Sequence, residues 1–147
     1  MTEHTQEPHR DIESILDALK HMATELLTLH GEMIPIAATM APDKAITHVG
    51  YQSDTEFPKS TKVIQDLTEY LKAQADLGTI HAAGLAYIAS LNNPDSTKSH
   101  DDAIIFDLES RDDHARVAIP FTLNESQPPT LADIRRLQYE PAFFVTG

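Results

Sequence analysis

The stretch Thr79–Leu91, TIHAAGLAYIASL, constrains the fold more than any other part of the chain. It is apolar at odd and even positions alike. A strand that alternates apolar with polar residues needs cover on one face, whereas a strand without alternation is covered on both. Periodicity alone would also fit a buried helix. The flanks favour a bounded strand, because Gly78 precedes it and Asn92-Asn93-Pro94-Asp95 follows as a turn signal. Its alanines and Gly84 form a low surface against which a helix can pack closely.

Two amphipathic helices are available for that packing. From Asp11 to His30 the apolar residues Ile12, Ile15, Leu16, Leu19, Met22, Ala23, Leu26, Leu27 and Leu29 fall mostly at i, i+3, i+4, i+7 spacing, one stripe of a helix. Asp11 is the expected N-cap and Gly31 the expected stop. A second helix is expected from a cap at Ser60 or Thr61 to about Leu77, with the stripe Val63, Ile64, Leu67, Tyr70, Leu71, Gln74 and Ala75, and Gly78 as its stop.

The remaining strands come as hairpins. Met33–Met40 and Ala45–Tyr51 flank the turn Ala41-Pro42-Asp43-Lys44, where Pro presets φ. Pairing Met40 with Ala45 sets Ile36 against Val49 and Ile34 against Tyr51, which gathers four large apolar residues on one face. Pro35 cannot donate to a ladder and belongs near a strand start, an edge or a bulge. Further on, Asp102–Ser110 alternates with Ile104, Phe106 and Leu108 inward. Ala115–Leu123 answers with Val117, Ile119 and Phe121 across the turn Arg111-Asp112-Asp113-His114. That register puts Leu108 against Val117, Phe106 against Ile119, and Glu109 opposite Arg116 on the solvent face. Residues 124–129 read as a loop. Thr130 with Asp133 resembles a capping box, so a short helix is expected over Leu131–Leu137. Tyr139–Thr146 reads as a final strand or an irregular packed segment.

The expected fold class is therefore α+β. It has a mainly antiparallel sheet of about five strands and two main helices, in the order α-β-β-α-β-β-β with a C-terminal segment to follow. Residues 1–9 are polar and expected to form a flexible N-terminus, and residues 10–147 a single α+β domain. A chain of 147 residues buries enough surface to hold a core without disulfide or metal.

Composition excludes whole classes of function. The net charge of −12 opposes non-specific binding to nucleic acid or to anionic lipid. The absence of cysteine removes disulfide scaffolds, thiolate zinc sites and thiol nucleophiles. The polar start MTEHTQEPHRDIE is no signal peptide, and no apolar run approaches the ~18 residues of a membrane span. A cytoplasmic location is the expectation.

Motifs are sparse. His4, His9, His21, His30, His48, His81, His100 and His114 include no i, i+4 pair and no H-E-x-x-H, so no metal site is expected. There is no G-x-S-x-G or S-x-x-K for a nucleophile, and the glycines are isolated, so neither catalytic nor cofactor-binding residues are assigned. Paired carboxylates are the best chemical candidate. Asp107 and Glu109, two residues apart on one strand face, would stand ~7 Å from each other. The plainer reading is that Glu109 pairs with Arg116 as a surface ion pair worth ~0–1 kcal/mol. Glu32 is the other oddity, because a negative charge just past a helix C-terminus opposes the dipole.

Gly31-Glu32, Pro35-Ile36-Ala37, Asp102-Ala103-Ile104, Glu109-Ser110-Arg111 and Pro120 carry a resemblance over roughly residues 12–123. In these pieces the chain resembles a loose group of small uncharacterised bacterial α+β proteins, in which a helix leads into a G-E-x-x-P-[FI]-A strand. The resemblance implies no activity. The element order is similar to that of roadblock/longin-type domains, which are scaffolding and dimerisation modules, but fold does not give function.

These readings favour a non-enzymatic module that acts through protein contacts or self-association, with a homodimer as its simplest form and an exposed apolar patch as its signature. The alternative is an enzyme or small-ligand binder with a site on the sheet face, built from His48, His81, Asp107 and Glu109. A third reading is an immunity-type inhibitor that uses its acidity to steer towards a basic partner.

Overall fold

A computed structural model describes residues 3–51, 59–92, 100–124 and 127–144. Residues 52–58 of the polar connection expected over Gln52–Lys59, residues 93–95 of the expected turn and the last three residues of the chain lie outside them. The elements are α1 (Glu3–His30), β1 (Ile36–Met40), β2 (Ile46–Val49), α2 (Ser60–Leu77), β3 (Ala82–Asn92), β4 (His100–Ser110), β5 (His114–Asn124), β6 (Gln127–Leu131) and β7 (Arg135–Leu137). Among the described residues the fold is α+β, with two helices and one antiparallel sheet. The sheet has seven strands rather than five, in the order β2-β1-β3-β4-β5-β6, and β7 also lies on β5. Among the described residues no helix is long and apolar enough to cross a membrane.

β3 lies at the centre of this arrangement, as its two apolar faces require. One face carries α1, which buries Ile12, Ile15, Leu19, Ala23 and Leu27 against Ala82, Ala86, Ile104, Phe106 and Leu108. The other carries α2, which buries Val63, Leu67, Leu71 and Ala75 against Ala37, Ala83 and Leu85. Gly84 lets α1 come close, because a β-carbon there would overlap the γ2 methyl of Ile15 and stand 2.8 Å from Leu19 Cδ1.

The helix ends differ in part from expectation. α1 starts at Glu3, so Asp11 does not cap it; the residue sits inside the helix with only 7% of its surface exposed. Lys59 is the N-cap of α2 and makes no side-chain cap bond, which places both Ser60 and Thr61 inside the helix. Gly78 does end α2, in the left-handed region at φ 76°.

Both expected hairpin registers shift. In β1–β2, Met40 pairs with Ile46 and Ala37 with Val49. The displacement of one residue separates Ile36 from Val49, since neighbouring strand positions point to opposite faces. Ile36 joins the α1 side and Val49 the α2 side, while Ile34 remains 42% exposed. The cause is the loop. Lys44 donates its N–H to the Ala41 carbonyl at 2.8 Å and adopts φ 76°, which adds a residue to the turn. In β4–β5, Leu108 pairs with Ala115, Phe106 with Val117, Asp107 with Arg116 and Glu109 with His114. Here the turn is tighter than expected. The Ser110 N–H donates to the Asp113 carbonyl at 2.8 Å, and the Ser110 hydroxyl accepts from the Asp113 N–H at 3.1 Å. This shift of two residues preserves the faces but moves Arg116 from Glu109 to Asp107.

The short helix expected over Leu131–Leu137 is not formed. β6 and β7 occupy this stretch, and β6 also takes residues 127–129 from the expected loop. Strand wins because β5 offers an unpaired outer edge: β6 pairs with its second half and β7 with its first. After β7 the chain crosses the sheet face beside α2 as an irregular strap, residues 138–144, and buries Phe143 in the α2 core.

Candidate functional site

α2 packs on β1 and β3 and leaves the same face of β4 and β5 uncovered; the strap closes part of it. Between helix and strap lies a groove of 470 Å³. Its floor is Leu85, Tyr87, Asp107 and Arg116, its helix wall Ile64 and Thr68, and its far wall the strap.

Asp107 and Arg116 face each other because their strands pair there. Arg116 Nε donates to Asp107 Oδ1 at 2.5 Å and Nη2 to Oδ2 at 2.9 Å, the bidentate geometry that a guanidinium fork favours. The Tyr87 hydroxyl donates to Asp107 Oδ2 at 3.1 Å. The guanidinium carbon lies 4.8 Å from the centre of the Tyr139 ring. Arg116 lines the groove, and its Nη1 has no hydrogen-bond partner among the described residues. Electrostatics follow from this packing. Hydrogen bonding to Asp107 raises the Arg116 pKa and holds its charge more firmly. Burial, and then the negative charge of Asp107, push the Tyr87 phenol up to about 12. Burial and the hydrogen bond to Glu109 push Tyr139 well above its ordinary value.

Glu109 is wholly buried rather than solvent-facing. Its carboxylate accepts the Tyr139 hydroxyl and the backbone N–H groups of Ala142 at 2.7 Å, Phe143 at 2.9 Å and Phe144 at 3.0 Å. The surface ion pair with Arg116 is thereby excluded, and Arg116 pairs with Asp107 instead.

The four residues considered for a sheet-face site do not converge. His48 is exposed on the edge strand β2, opposite Ala38 on the α1 side. His81 binds Asp11, with Nε2 2.7 Å from Oδ2, and the same carboxylate accepts Lys44 Nζ at 2.9 Å on each oxygen. This second polar cluster neutralises a buried Asp on α1 at the other side of the sheet. Glu32 is exposed. Among the described residues no group of three or more His, Cys, Asp or Glu could hold a metal ion. Of the candidates only Asp107 lines the groove.

Sequence reasoning missed Tyr87, Arg116 as the partner of Asp107, and Tyr139. Tyr87 had a signal, a large polar-tipped ring in a run of small aliphatic residues. Tyr139 had none, because its partner lies 30 residues away. In this network both Asp107 oxygens are committed and both tyrosine hydroxyls donate to carboxylates. Fixed donors and acceptors of this kind suit recognition more than proton transfer.

No protein-family description matches the sequence, and neither curated proteins nor solved structures show significant similarity to it.

Proposed function

We propose that the chain is a binding domain whose ligand is a small polar molecule held in the groove between α2 and the strap. The observation that carries this reading is the Asp107–Arg116 pair, braced by Tyr87 and Tyr139 on the floor of a 470 Å³ concavity. Ligand sites typically measure ~300–1,000 Å³ and combine apolar walls with a few oriented polar groups. The ligand carries an acceptor for Arg116 Nη1 and an apolar body for Ile64, Leu85 and Phe143. It has no net negative charge, because Asp107 already balances Arg116, Glu140 also lines the groove, and the chain as a whole carries −12.

A thermal-shift screen of neutral, cationic and anionic metabolites, followed by calorimetry, tests this. Binders should come from the first two classes. Arg116→Lys, which keeps the charge but loses the fork, should weaken them at least about tenfold. Binders whose affinity is the same in Arg116→Lys, or a screen without binders, would refute the reading.

A second reading is contact with a protein partner or a second copy. It is favoured by Tyr70 and Leu77, 46% and 72% exposed and seven residues apart on α2. Light scattering at rising concentration tests self-association, and salt-sensitive binding to a basic protein would identify an immunity-type inhibitor.

A further inference from the structure

The strap supplies Gln138, Tyr139, Glu140, Ala142 and Phe143, five of the eleven residues that line the groove. Its own attachment is slight. Among the described residues, no backbone–backbone hydrogen bond outside the regular elements involves residues 138–144. The N–H groups of Ala142, Phe143 and Phe144 all donate to one carboxylate, that of Glu109, which also holds the Tyr139 hydroxyl. Buried backbone donors must be satisfied, and here a single side chain satisfies three in succession. Apolar anchoring comes chiefly from Phe143, 1% exposed against α2. Arg111 closes the end, its guanidinium carbon 5.6 Å from the Phe144 ring centre.

We infer that residues 138–144 are a gate on the groove, latched by Glu109, and that the gate opens by release of this one carboxylate while the sheet stays folded. The inference rests on the groove being the binding site, since opening removes nearly half of the lining. Whatever occupies the closed groove favours the latched state, because a ligand stabilises the form that binds it. The rest of the sheet need not follow. β3 and β4 are joined along their length by their own ladder, which does not depend on the strap.

Amide hydrogen exchange of the whole, unliganded chain tests the gate apart from the ligand. The amides of residues 142–144 should exchange faster than those of Ala83–Ala86 in β3, and their rate should respond little to dilute denaturant, as expected of local opening. Glu109→Ala should accelerate strap exchange roughly ten- to hundredfold, the scale of lost charge-assisted hydrogen bonds. Strap amides should still exchange faster than those of β3, and added formate should slow the strap again by refilling the vacated carboxylate position. If Glu109→Ala fails to fold, Phe143→Ala should accelerate the strap by the other anchor. Strap amides that exchange only together with β3, in wild type and variant, would overturn the gate. A screen without binders combined with fast strap exchange would refute the ligand and leave the gate standing.

Discussion

Asp107 and Arg116 are buried unequally, and removal of either should reveal it. The Asp107 side chain is 6% exposed and that of Arg116 33%. Arg116→Met keeps the aliphatic stem and removes the charge. Asp107 then remains on the groove floor with the Tyr87 hydroxyl, at 3.1 Å, as its one hydrogen-bond partner among the described residues. Stranding a buried charge costs about 3–5 kcal/mol, and water entering the groove places this case near 3. Asp107→Asn is the gentler change. The guanidinium, a third exposed, turns to solvent and keeps its stacking on Tyr139, while Asn still accepts from Tyr87. Discounted for solvent screening, that loss is about 1 kcal/mol. The double variant should be more stable than Arg116→Met alone, because the stranded charge is gone. Urea denaturation at neutral pH, with midpoints compared at constant slope, measures all three. Equal losses for the two single variants, or a double variant that equals their sum, would refute the reasoning.

Two further outcomes follow from the packing. Gly84→Ala should destabilise by about 1–3 kcal/mol, because the Ile15 γ2 methyl moves only by rotating χ1 and both Ile15 and Leu19 are fully buried. An unchanged denaturation midpoint would contradict this. In a phenolate absorbance titration, Tyr87 should ionise near 12 and Tyr139 above the ordinary range. The fold prefers the neutral phenols, so their contribution to stability is full below the unfolded value near 10 and falls as pH rises from there towards 12. Stability that increases over this interval would disprove the burial of these rings.

The helices were legible because each repeats its apolar residues on one stripe. Ile12, Ile15, Leu19, Ala23 and Leu27 could serve no other structure as well. The two-faced character of β3 was legible for the same reason. Registers were not, because each depends on a single turn residue. Lys44 takes a left-handed conformation that glycine or asparagine would have advertised. The Ser110–Asp113 turn is closed by a backbone bond and a bond to the Ser110 hydroxyl that composition does not reveal. The capping box at Thr130 and Asp133 was a true local preference, overruled by the open edge of β5. The site was the least legible part. It joins Tyr87 to Asp107 across 20 residues and Tyr139 to Glu109 across 30, and no spacing rule spans such distances.

The central position of β3 also sets the order in which the chain can acquire structure during synthesis. α1, β1 and α2 all precede the strand on which they rest. Ile15 and Leu19 on one helix, Leu67 and Leu71 on the other, have only the short strand β1 to cover until β3 emerges. About 60 residues separate the end of α1 from the end of β3. At ~5–20 residues per second, translation leaves the first helix waiting for roughly 3–12 s. Chains stalled shortly before and well after β3 should therefore differ sharply in protease resistance, the shorter being digested throughout.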